Sequence, residues 1–124
     1  MMSNQLNNMS ELQFQIKLFN KLSRLEAVHP SLFTYAVEFG ENNTNFVQLR
    51  ELKAKGMRRG ISDLHILGGG NMLFVELKTA TGVQSKFQKH FQAKCEMNGF
   101  EYILLKASTP VDEFVNIIMD KLGL

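Results

Sequence analysis

The stretch Gly60-Ile61-Ser62-Asp63-Leu64-His65-Ile66-Leu67-Gly68-Gly69-Gly70-Asn71-Met72-Leu73-Phe74-Val75-Glu76-Leu77-Lys78-Thr79 holds two apolar, β-favouring runs joined by glycines. It predicts a hairpin: a strand over Ile61–Leu67, a turn at Gly68–Asn71 and a second strand over Met72–Thr79. With Gly69 and Gly70 as the central turn pair, position 63 falls opposite position 76. Facing side chains lie on one side of a sheet, about 4.5–5.5 Å apart at Cβ. Glu76 and Lys78 are two apart, so they share that side. Charges inside an apolar strand are costly unless they pair or bind something. Two carboxylates this close repel unless a cation lies between them, and oxygen ligands with room for water suit Mg²⁺. Lys78 would then flank the metal. The plainer alternative is an ion pair between Lys78 and one of the carboxylates.

Working outward, Ser10 and Gln13 form a capping box that opens a helix. Leu12, Ile16, Phe19 and Leu22, and also Phe14, Leu18, Leu22 and Leu25, follow helical spacing. The stripe is broad enough to predict packing on more than one side, and His29-Pro30 ends the helix. Met1–Met9 reads as a mobile tail. Leu32–Phe39 predicts a strand, Gly40–Asn43 a loop, and Thr44–Lys55 a short helix with Phe46, Leu49 and Leu52 on one side and Gly56 as its stop. Beyond the hairpin, Ser85 and Gln88 form a second capping box. Phe87, Phe91 and Cys95 give that helix an apolar side, and Gly99 ends it. Phe100–Leu105 is a strand. Thr109-Pro110 opens a last helix that buries Val111, Phe114, Val115, Ile118 and Leu122. The order α-β-α-β-β-α-β-α predicts an α/β fold: a mixed central sheet flanked by helices, the last strand joined in parallel by a right-handed crossover. The expected organisation is one domain over residues 10–124.

The 124 residues are 44% hydrophobic and 21% charged, which excludes a wholly disordered or collagen-like chain. No apolar run is long enough to span a bilayer. No basic-then-apolar leader follows Met1, and Cys95 is the single cysteine. Both features suit a reducing cytoplasm. The net charge of +2 hides an asymmetry. From Arg50 to Lys94 nine basic residues face three acidic ones, a local excess of +6. Such a concentration points to a polyanion, although a solvated charged surface would account for it equally well.

Gly56-Met57-Arg58-Arg59-Gly60-Ile61-Ser62-Asp63, the glycine turn and Val75-Glu76-Leu77-Lys78-Thr79 resemble the PD-(D/E)xK nuclease superfamily. The spacing within it resembles the virus-type replication-repair nuclease (VRR-NUC) domain. Ser85-Lys86-Phe87-Gln88, Gly99 and Glu11 extend the resemblance over nearly the whole chain. Ser62 departs from it, standing where the superfamily name places proline. The resemblance implies a restriction-endonuclease-like core. It implies that Asp63, Glu76 and the Leu77 carbonyl hold Mg²⁺, with Mn²⁺ able to substitute. Lys78 would stabilise the attacking hydroxide or the phosphate, and Gln88 would hold water or Lys78. Glu11 would approach from the first helix, directly or through water. Two of these residues have other readings: Glu11 as a first-turn glutamate favoured by the helix dipole, and Gln88 as the partner of Ser85. Glu26 competes with Glu11 but matches no motif. His65 reads as a packed, hydrogen-bonded histidine that lines the same strand face.

Lys55, Arg58 and Arg59 precede Asp63, and Lys86 and Lys89 follow the second strand. Both groups are expected to border the site, where phosphate oxygens would lie. The resemblance implies a Mg²⁺-dependent, structure-selective DNA endonuclease, and small stand-alone chains of this kind resemble phage-encoded proteins. One chain carries one site, so paired cuts in a four-way junction require a two-fold homodimer. A Holliday-junction resolvase is therefore the sharpest expectation, with a restriction-type or nicking nuclease beside it. The other class is a non-catalytic nucleic-acid-binding module using the same basic face.

Overall fold

The computed structural model describes residues 10–37 and 45–124. The expected tail over residues 1–9, the loop at Gly40–Asn43 and positions 38, 39 and 44 of the adjoining elements lie outside them. The elements are α1 (Glu11–Leu25), β1 (Phe33–Ala36), α2 (Phe46–Ala54), β2 (Leu64–Gly68), β3 (Asn71–Lys78), α3 (Lys86–Met97), β4 (Glu101–Lys106) and α4 (Val111–Leu122). The chain is α/β in the expected order. Its four strands form one mixed sheet in the order β1-β2-β3-β4, antiparallel up to β3 and parallel between β3 and β4. A parallel neighbour needs a crossover, and α3 supplies it.

One face of the sheet carries the core. Leu64, Ile66, Leu73, Val75, Leu77 and Leu105 point to α1 and α4, which contribute Phe14, Leu18, Leu22, Phe114, Ile118 and Leu122. Phe14 and Phe114 meet edge to face at 5.6 Å. Each such side chain contributes roughly 1.5–3 kcal/mol on burial. The other face carries a row of aromatic contacts running from Phe33 through Tyr35, His65 and Phe74 to Phe91 and Tyr102.

One expectation about a helix is corrected. Helix α1 buries only Phe14, Leu18 and Leu22. Leu12, Ile16 and Phe19 are 67%, 50% and 37% exposed, so one side packs and the rest of the apolar stripe faces out. Helix α2 begins at Phe46, capped by Asn45, and buries none of its residues; Phe46 is exposed. Leu49 and Leu52 are half-buried. Both capping boxes form as expected. No helix among the described residues is long and apolar enough to cross a membrane.

Candidate functional site

Strand β2 starts at Leu64 rather than Ile61. Gly56 and Gly60 have φ of 106° and 84°, left-handed values that glycine adopts without a Cβ penalty. A Cβ on Gly60 would stand 2.3 Å from the Phe87 backbone carbon. The loop therefore crosses hard against the first turn of α3 and cannot be pleated there. The hairpin register nevertheless pairs Leu64 with Val75 and Gly68 with Asn71, and its continuation brings Asp63 to Glu76. The Asp63 carbonyl accepts from the Val37 N–H at 2.9 Å, which ties the loop to the end of β1.

Asp63 does not pair with β3 through its backbone. Its carboxylate does so instead: Oδ2 accepts from the Leu77 N–H at 2.6 Å. The N–H and C=O of a strand residue face the same neighbour, so the Leu77 carbonyl turns to this side as well. Burial pushes the Asp63 carboxyl above its ordinary value of 3.8; the Leu77 N–H pulls it back, Glu76 raises it further and Lys78 lowers it. The three charged residues singled out in the sequence therefore act on one another.

Glu76 is 0% exposed. Its Oε1 accepts from Gln84 Nε2 at 2.9 Å and from the Tyr102 hydroxyl. Its Oε2 has no hydrogen-bond donor. Lys78 Nζ lies 3.8 Å from that oxygen, an ion pair too long to be a hydrogen bond. The ion pair anticipated as the plainer alternative is thus present, but it leaves Oε2 unsatisfied. The far end of β3 is fixed from the other side by Ala107, whose N–H donates to the Lys78 carbonyl at 2.9 Å.

Gln88 takes the other of its two readings: its Oε1 accepts from the Ser85 N–H at 2.8 Å and closes the capping box. Gln84, one residue before the cap, is the glutamine that reaches Glu76, and it also donates to Gln92 Oε1 at 2.8 Å. Tyr102 was not anticipated either. It pairs with Phe74 in the parallel register, which makes it the diagonal neighbour of Glu76 on the same face. Burial, followed by the bond to Glu76, pushes its phenol far up, so it remains a donor.

Glu11 opens α1, and among the described residues no group of three or more His, Cys, Asp or Glu side chains is placed to hold a metal. Glu11 therefore does not complete a set with Asp63 and Glu76. Glu26 is engaged elsewhere, its Oε1 accepting from the Thr34 N–H at 2.9 Å. His65 is the packed histidine expected, with Nδ1 3.2 Å from the Tyr35 hydroxyl. Of the basic residues, Arg59 and Lys86 converge: both lie over the Phe87 ring, at 5.8 and 5.3 Å. Lys55, Arg58 and Lys89 are exposed.

The donor set fits a hard divalent cation that keeps much of its water. Mg²⁺ is commonly held by one or two carboxylates with water completing the octahedron. Asp63, the unsatisfied Glu76 Oε2 and the Leu77 carbonyl would be its protein ligands. Comparison of the chain with models of known protein families, with curated proteins and with solved structures finds no match.

Proposed function

We propose that the chain is a Mg²⁺-dependent DNA endonuclease, its sheet the core of a PD-(D/E)xK nuclease of VRR-NUC type. The observation that carries this reading is the buried Glu76 oxygen with no donor, beside Lys78 and the half-buried carboxylate of Asp63. A carboxylate oxygen taken from water and left unsatisfied costs several kcal/mol unless a cation meets it (roughly 1–3 for a neutral group, more for a charged one). Two carboxylates and a lysine at one strand end are more than a fold requires.

Bound there, Mg²⁺ supplies a water of lowered pKa and neutralises charge on a phosphoryl oxygen. The chain's own residues do the rest. Asp63 and Glu76 hold the ion. Gln84 and Tyr102 fix one oxygen of Glu76, so only the other can turn to a ligand. Lys78, with its stem covered by Gly82, brings a positive charge to the developing negative charge of the transition state. Arg59 and Lys86 attract the backbone of the substrate, with Lys55, Arg58 and Lys89 around them. In the sharpest form of the proposal the substrate is a four-way junction and the active species a homodimer.

A cleavage assay on branched, flapped and linear DNA, with and without Mg²⁺, tests the reading. Glu76→Ala should abolish cleavage and leave DNA binding largely intact. Lys78→Ala should slow cleavage roughly 10²-fold or more. Metal-independent binding with no cleavage of any substrate would favour the binding module, which the Arg59–Phe87–Lys86 cluster alone would serve.

A further inference from the structure

Phe87 is used by neither the core nor the carboxylate site, yet it is an exposed ring whose backbone is tightly held. It is the second residue of α3 and 42% exposed. Its backbone is clamped from below by Gly60, whose hypothetical Cβ would come within 2.3 Å of the Phe87 carbon and 2.4 Å of its oxygen. Gly60 lies three residues before Asp63, so the ring and the carboxylate loop are held as one body. Two cations from different elements lean over it: Arg59 from the loop and Lys86 from the helix. Their distances of 5.8 and 5.3 Å from the centroid are near the outer limit of about 6 Å for a cation–π contact. Either cation can therefore leave the ring for a phosphate while a flat group takes its place.

A ligand that matches this arrangement has an apolar, π-bearing plane linked to anions. An unpaired nucleobase with its flanking phosphates has both, whereas a base inside a duplex has its faces covered by its neighbours. We propose that Phe87 is a stacking platform for one unpaired DNA base next to the cleavage site, with Arg59 and Lys86 on the adjoining phosphates. It rests on the nuclease reading for the identity of the strand, and it favours DNA in which a base at the branch point is unpaired or unstacks from its neighbours.

Binding is measured in EDTA by fluorescence anisotropy, with three probes: a single-stranded DNA oligonucleotide, a fully paired duplex, and that duplex with a single-stranded tail. Stacking of one base is worth about 5- to 150-fold in affinity by alanine substitution. Phe87→Ala should lose that factor on the single strand and on the tailed duplex, and change blunt-duplex binding less than twofold. Phe87→Trp should restore single-strand binding. A 2-aminopurine in the strand should be quenched on binding to the wild type and not to Phe87→Ala. Equal losses on paired and unpaired DNA, or a Phe87→Leu variant that binds single strands as the wild type does, would overturn the proposal. Tighter binding of an RNA strand of the same sequence would overturn the choice of DNA. Because metal is absent, these outcomes bear on the stack alone, and absence of Mg²⁺-dependent cleavage bears on the nuclease reading alone.

Discussion

Asp63 meets opposing demands within one side chain. One oxygen replaces a ladder bond to Leu77, and the group is held above its ordinary pKa mainly by burial. A carboxyl whose folded value is raised stabilises the fold fully below its unfolded value of about 3.8, and that contribution is lost as pH rises through the folded value. At neutral pH the ionised group is therefore a liability in the metal-free protein, and a cation that binds only the folded state removes it. Asp63→Asn keeps an acceptor for the Leu77 N–H and drops the charge. The metal-free variant should melt at the wild-type temperature or above. Millimolar Mg²⁺ should raise the melting temperature of the wild type at pH 7.5 and leave that of the variant unchanged. Equal Mg²⁺ shifts in both, by differential scanning fluorimetry, would remove Asp63 from the metal site.

At the scale of elements, the site depends on how the loop before β2 meets α3. Gly60 combines a left-handed φ of 84° with a backbone contact that no side chain can share, whereas Gly70, at φ 79°, has nothing within 4 Å of where a Cβ would be. Alanine at Gly70 should cost only the conformational penalty of about 1–2 kcal/mol. Alanine at Gly60 should cost at least about 1 kcal/mol more, because the first turn of α3 must move. Urea unfolding of the two variants reads the difference, and equal losses would show that the loop does not bear on the helix. The sequence reveals this junction only in part. The hairpin register follows from Gly69-Gly70, because a two-residue turn fixes every pair beyond it. Both caps are equally local and equally legible. Tyr102 is not, because its place beside Glu76 depends on the parallel register across a helical crossover, which no turn chemistry sets. Gln84 is not legible either: no periodicity or cap marks it, whereas Gln88 is claimed both by the motif position and by the capping box that it in fact closes. The outer side of α1 misled: periodicity reports an apolar stripe, and only packing says how much of it is covered.

That uncovered stripe is the feature of the whole molecule that bears on assembly. Leu12, Ile16 and Phe19 follow helical spacing on an exposed flank of α1, beside the side that Phe14, Leu18 and Leu22 bury. A nuclease that makes paired cuts in a four-way junction must present two sites related by two-fold symmetry, and a two-fold interface uses the same patch twice. If the chain works in this way, the stripe would supply such a patch, and α1 against its symmetry mate would cover it. Three side chains fall short of the roughly 800 Å² per partner of a stable interface, so they can form only its centre. Charge at the centre of an apolar interface is costly. Ile16→Glu should therefore shift a wild-type dimer to monomer in sedimentation velocity at micromolar concentration, and should abolish paired cutting of a junction while sparing single nicks. Lys17→Glu, an exposed change on the flank of the same helix away from Leu12 and Phe19, should do neither. A wild-type monomer that still cuts both strands symmetrically would show that two-fold pairing is not how the junction is resolved. A monomer that only nicks flaps would keep the nuclease and remove the resolvase.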